Sequence, residues 1–73
     1  MGRKKPIKTI AAPMVETLNQ YAKGKGISCR IEFDAKARRY VILLADGVRE
    51  YESQQAEAVA AHLDMMALAI LFG

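Results

Sequence analysis

The 73-residue sequence reads as one α+β domain of order α-β-β-β-α, a three-stranded antiparallel sheet with two helices packed on one face. Three observations predict this. Apolar residues recur at spacings of three and four near both ends of the chain, the period falls to two between Ile27 and Glu52, and Asp46-Gly47 interrupts that stretch with a tight-hairpin signal. The spacing predicts helices over 10–23 and 53–71 and strands over 27–34, 38–45 and 48–52.

The first helix starts from Thr9, with Ile10, Met14, Leu18, Tyr21 and Ala22 on one face and Glu16, Asn19, Gln20 and Lys23 away from it. Pro13 belongs in the first turn, capped by Thr9 or Ala12, where a missing N–H costs nothing. Gly24 and Gly26 supply a left-handed exit, and Lys23 and Lys25 suit the negative end of the helix dipole.

In the first strand Ile27, Cys29, Ile31 and Phe33 alternate with Ser28, Arg30, Glu32 and Asp34. Asp34 to Ala37 reverses the chain into a second strand that is apolar on both faces from Tyr40 to Leu44. A two-residue Asp46-Gly47 loop places Leu44 beside Arg49 and Ile42 beside Tyr51, and an even first loop places Ile31 opposite Tyr40 and Cys29 opposite Ile42. The core face is then Ile27, Cys29, Ile31, Phe33, Tyr40, Ile42, Leu44 and Tyr51. The other face carries Arg30, Glu32, Arg39, Glu50 and Glu52 around a strip of Val41, Leu43 and Val48, a candidate contact surface if nothing in the monomer covers it.

Ser53 is the expected cap of the last helix, with Glu57 adding negative charge to its first turn. Its inner face is Ala56, Val59, Ala60, Leu63, Ala67, Ile70 and Leu71. From Met65 onward the helix is apolar all round, so Met65, Leu68 and Phe72 lie on the side away from the core. Either the first helix and the N-terminal arm wrap this end or it meets another chain, and a homodimer is the preferred reading.

At this point the chain resembles the double-stranded-RNA-binding domain family. The resemblance rests on Pro13, Leu18-Asn19-Gln20-Tyr21-Ala22 and Gly26, with the small residues Ala56, Ala60 and Ala61 in the closing helix, and covers nearly all of residues 13–71. It implies the α-β-β-β-α fold more than a function, since these are mostly packing positions. Members that bind duplex RNA open their second helix with a Lys-Lys-x-Ala-Lys cluster on the phosphates. Here those places fall on Ser53, Gln54 or Gln55 and on Glu57 or Ala58, no Lys or Arg follows Arg49, and the family's Gly-Pro-x-His loop is missing. Duplex-RNA binding through that helix is not expected.

Composition narrows the function classes. A chain of 8.1 kDa buries only about 60% of its unfolded surface, which leaves little for a deep cleft. The net charge of +3 hides a division: Arg3, Lys4, Lys5 and Lys8 are four of the eleven basic residues, and the remaining seven face eight acidic ones. The domain organisation is therefore a flexible basic arm over 1–8 and a nearly neutral domain over 9–73. The arm is either a solubilising tail or a contact for nucleic acid or an acidic partner. Neither a signal peptide nor a myristoylation motif is present, and the Met65–Phe72 run is far short of a membrane span. No membrane partner is expected, and a lone cysteine points to the reducing cytoplasm.

No constellation of catalytic residues is visible, so the protein reads as non-enzymatic, with no cofactor, metal or small-molecule substrate. His62 is the only histidine and points away from Asp64, two residues on, while Cys29 alternates into the core as a small hydrophobe. Two functions remain open. The first is a homodimeric interaction module, an adaptor or inhibitor acting on a protein or nucleoprotein partner as compact phage-encoded proteins do, through Val41, Leu43, Val48, Met65, Leu68 and Phe72. The second is a nucleic-acid accessory protein whose phosphate contacts are Arg3, Lys4, Lys5 and Lys8 with Lys23, Lys25, Lys36, Arg38 and Arg39. With Tyr21, Tyr40 and Tyr51 all expected on core faces, no aromatic ladder is available for stacking single strands.

Overall fold

A computed structural model describes residues 7–72. The elements follow in the expected order: α1 (Ile7–Gly24), β1 (Cys29–Asp34), β2 (Arg39–Leu44), β3 (Arg49–Ser53) and α2 (Ala56–Phe72). The strands form one antiparallel sheet of order β1-β2-β3. Leu18 and Ala22 of α1 and Val59 and Leu63 of α2 share a buried cluster with Ile27, Ile31 and Ile42, so both helices cover the same face of the sheet.

Helix α1 begins earlier than its sequence suggests. It includes Ile7 and Lys8, which the sequence places in the arm, and it runs through Pro13, which stands inside it and not in the first turn. A proline there removes one i to i−4 hydrogen bond. Pro13 is exposed, and its own carbonyl accepts from Thr17 Oγ1 at 2.9 Å. The buried line is Ala11, Val15, Leu18 and Ala22, which turns Met14 and Tyr21 out to the flank. The exit is a Schellman motif: Gly26 has φ +75°, its N–H reaches the Lys23 carbonyl, and the Ile27 N–H reaches that of Ala22. Buried Ile27 and Ala22 add the apolar contact that accompanies this cap.

The first hairpin keeps the expected faces but slips by two residues. Ile31 pairs with Ile42 and Cys29 with Leu44, in place of Tyr40 and Ile42. Asp34 Oδ1 accepts the N–H groups of Lys36 and Ala37, and Arg38 closes the loop at φ 55°, a left-handed turn that no glycine announces. A slip of two leaves the pleat in phase, so Ile31, Ile42 and the Phe33–Tyr40 edge-to-face pair, with ring centres 5.1 Å apart, stay under the helices.

The second hairpin departs further. The Gly47 N–H bonds the Leu44 carbonyl and the Leu44 N–H bonds that of Val48, giving a three-residue loop, Ala45-Asp46-Gly47, with Gly47 at φ +85°. Leu43 therefore pairs with Arg49, not Leu44, and the ladder regains Ile42 opposite Tyr51 only through a bulge that leaves Glu50 as the extra residue. Arg49 is thereby placed on the outer face and Glu50, expected there, is turned toward α2. Ser53 does not cap α2 directly: its Oγ accepts from the Gln55 N–H, and the Gln55 carbonyl accepts the first helical bonds from Ala58 and Val59.

The edge of β1 is closed by a side chain. Asn19 of α1 donates to the Ile31 carbonyl and accepts the Ile31 N–H, both at 2.9 Å, as a neighbouring strand would. This bond fixes α1 along β1 and removes a free strand edge.

Candidate functional site

The register of the two helices leaves a run of exposed apolar side chains at the end of α2. Tyr21 Oη donates to Asp64 Oδ1 at 2.6 Å, and Lys25 Nζ reaches the same oxygen at 2.9 Å while lying 4.8 Å from the Tyr21 ring centre. Farther back, Met14, Thr17, Leu18 and Tyr21 line a furrow of about 210 Å³ with Ala56 and Ala60. The helices therefore run side by side in the same direction. Because α1 ends at Gly24, three residues past Tyr21, it stops about level with Ala67. Leu68–Phe72 extends about 7.5 Å beyond it with no helix alongside.

Burial changes sharply at this point. Val59 and Leu63 are fully buried, whereas Met65, Leu68, Ile70, Leu71 and Phe72 are 65, 54, 61, 75 and 84% exposed. Met65, Leu68 and Phe72 lie outside the core, as expected. Ile70 and Leu71, expected on the inner face, are out as well: they have the right phase, but the supporting layer ends before they are reached. Val48, 53% exposed, sits on the β2–β3 loop at the end of the sheet toward which both helices run.

The outer sheet face offers less. Val41, expected in an open apolar strip, is 3% exposed, and Leu43 is half-buried. Charged side chains close over the strip: Arg49 reaches Glu52 at 3.2 Å and Asp34 at 3.6 Å, Arg39 reaches Glu52 at 3.1 Å, and Arg30 pairs with Glu32 at 2.7 Å. The bulge supplies Arg49 to this web, a role the sequence does not reveal. Asp34 is held below the usual carboxylate range, first by the Ala37 N–H, then by that of Lys36 and by Arg49.

The basic residues fall into separate groups. Lys25 and Arg39 are engaged in ion pairs. Lys23 lies at the C-terminal end of α1, while Lys36 and Arg38 occupy the β1–β2 loop at the far end of a six-residue strand, about 20 Å away. Lys36 and Arg38 share their end of the molecule with the N-terminus of α1 and make no ion pair among the described residues. Arg3, Lys4 and Lys5 lie outside the described residues.

His62 and Asp64 point apart, as expected. His62 stacks on Tyr51 with ring centres 4.3 Å apart, and its Nε2 lies 3.0 Å from Glu50 Oε2. Asp64 faces α1, where the Tyr21 hydroxyl, and then Lys25, hold its carboxyl low, and the same contact with Asp64 raises the Lys25 pKa. Cys29 is half-buried, and that burial pushes its thiol up, away from the reactive thiolate. Tyr21, expected in the core, is 40% exposed, and no second exposed aromatic stands beside it to form a ladder. Among the described residues no group of three His, Cys, Asp or Glu side chains is placed to hold a metal ion, and no helix is long and apolar enough to cross a membrane.

No family model, curated protein or solved structure matches the chain.

Proposed function

We propose that this protein is a small non-enzymatic interaction module, an adaptor or inhibitor, that engages a protein or nucleoprotein partner through the free end of α2. The observation that carries this reading is the cluster of five large apolar side chains within residues 65–72, each more than half exposed. Such a concentration exceeds the scattered apolar exposure of ordinary surfaces and marks association sites. Ile70 and Leu71, with Val48 at the same end of the molecule, form the partner-facing surface.

A pulldown from the native host with and without nuclease, using wild type and Leu71→Glu, tests this. A partner retained after nuclease and lost with Leu71→Glu supports the reading. A partner lost with nuclease and unaffected by Leu71→Glu overturns it. That second result favours a nucleic-acid accessory protein, for which Lys36 and Arg38 argue: they make no ion pair among the described residues and share their end of the molecule with the N-terminus of α1.

A further inference from the structure

Ala58, Ala61, Met65, Leu68 and Phe72 follow one another along α2 at spacings of three and four, the repeat of a coiled-coil seam. With 3.6 residues per turn this stripe lies about 180° from Val59, Leu63 and Met66, which face the core. Its flanks are defined by Asp64, held against α1, and His62, held against β3, and it carries no charge. The stripe is also graded, with alanines in its first half and Met, Leu and Phe in its second.

We propose that this stripe is the contact with a second copy of the chain, the two α2 helices running antiparallel about a two-fold axis at Met65. The proposal rests on the reading of the α2 end as an interaction surface and names one of its occupants. A parallel pair sets Phe72 against Phe72 and alanine against alanine, a wedge that cannot keep a constant helix spacing. The antiparallel pair sets Phe72 of the second copy level with Ala58 and its Leu68 near Ala61, so each bulky residue meets a small one. At that level lies the furrow of about 210 Å³ lined by Met14, Leu18, Tyr21, Ala56, Ala60 and the exposed Glu57; the Phe72 ring would lie on its apolar side chains, with the Glu57 carboxylate left at the rim in water. The two-fold repeats this knob and hole, as a self-complementary interface requires.

Other routes to self-association are poor. Asn19 occupies the edge of β1 at Ile31, and β3 is a five-residue strand with a bulge and the charged residues Arg49, Glu50 and Glu52. The seam from Ala58 to Phe72 is about 21 Å long and a helix is about 10–12 Å wide, so the helix pair covers roughly 250 Å² on each copy, about 500 Å² in all, the size of a weak, transient contact. Assembly at high micromolar concentration is expected.

Disulfide trapping tests the register. In the full chain carrying Cys29→Ser, the antiparallel axis brings Ala61→Cys of one copy level with Ala69→Cys of the other. Two copies of Ala61→Cys stay about 12 Å apart along the axis, beyond the reach of a disulfide. On oxidation of an equal mixture at about 1 mM, above a high-micromolar Kd, the mixed 61–69 disulfide should form several-fold faster than 61–61 or 69–69. Like-with-like cross-links in excess show a parallel pair and overturn the proposal, as does wild type that sediments as a monomer at that concentration. A monomer whose host partner is still lost with Leu71→Glu refutes the dimer alone. A mixed disulfide accompanied by unchanged capture of the partner by Leu71→Glu refutes the partner-binding end alone.

Discussion

The two halves of α2 differ in composition and in fate: residues 56–64 are apolar at six of nine positions and mostly shielded, whereas residues 65–72 are apolar at all eight and mostly exposed. Residues 56–64 place Val59 and Leu63 against Ile31, Ile42 and Leu18 with no exposure, while residues 65–72 leave five larger side chains in solvent. Their difference lies in what stands beneath them. The first half has a sheet on one side and α1 on the other, held by Asp64 with Tyr21 and Lys25, whereas in the second half only Met66 and Ala67 still pack on the core, Met65, Leu68 and Phe72 face away from it, and Ile70 and Leu71 extend past the end of α1. Helical phase determines where a side chain points, and the extent of the neighbouring layers determines whether it is buried there. Ile70 and Leu71 separate the two conditions, being in phase with the core but outside it.

The sharpest test sets Leu63 against Leu68, the same residue type five positions apart. Leu63→Ala leaves a cavity in a closed core and should cost about 2–5 kcal/mol in denaturant unfolding. Leu68→Ala, measured at a concentration where the chain is monomeric, should cost well under that. Equal losses would break the comparison and place the second half in the core.

Next in size is the tether that aligns α1 with the sheet and so sets where support for α2 ends. Asn19→Ala strips the Ile31 N–H and carbonyl of their partner, and about 1–3 kcal/mol should be lost. Amide exchange at Ile31 should rise with it, while Val59 and Leu63 keep their protection relative to the global value. An unchanged exchange rate at Ile31 would mean that the edge is satisfied in another way.

Arg38 gives a smaller effect of the opposite sign. Its left-handed φ carries a side-chain penalty that glycine lacks, so Arg38→Gly should stabilise by about 0.5–1 kcal/mol. Neither half of α2 should change its exposure, which separates loop strain from core support.

The boundary itself titrates. Asp64 has its pKa lowered in the folded state, so its contribution is present above the ordinary carboxylate pKa of about 3.9 and is lost as pH falls through the lower folded value. The Tm difference between wild type and Asp64→Asn should be constant near neutrality and shrink in acid below about pH 4. A difference that grows on acidification would assign the effect to another group.

Much of this architecture was legible in the sequence because it rests on local periodicity: the α-β-β-β-α order, the inward faces of the first two strands with Tyr51 of the third, and the outward Met65, Leu68 and Phe72. The departures come from interactions that periodicity does not encode. Asp46-Gly47 suits both a two-residue and a three-residue loop, and the choice of the longer one forced the bulge at Glu50, exchanging the faces of Arg49 and Glu50. The first hairpin slipped because Arg38, not a glycine, supplies the left-handed turn. Val41 looked exposed because the sheet face has no covering element, yet the long arms of Arg39 and Arg49 cover it. At the candidate site the apolar stripe was visible as composition, but its overhang depends on the length of α1 and on the Asp64 contacts between helices.

Whether the second half of α2 is surface built for association is decided by sedimentation equilibrium of wild type and Leu68→Glu. Wild type should move from 8.1 kDa toward twice that mass as concentration rises through the high micromolar range to about 1 mM, while Leu68→Glu stays at 8.1 kDa with an unchanged unfolding midpoint measured on the monomer. A Leu68→Glu chain that unfolds, or one that associates as wild type does, would contradict the account.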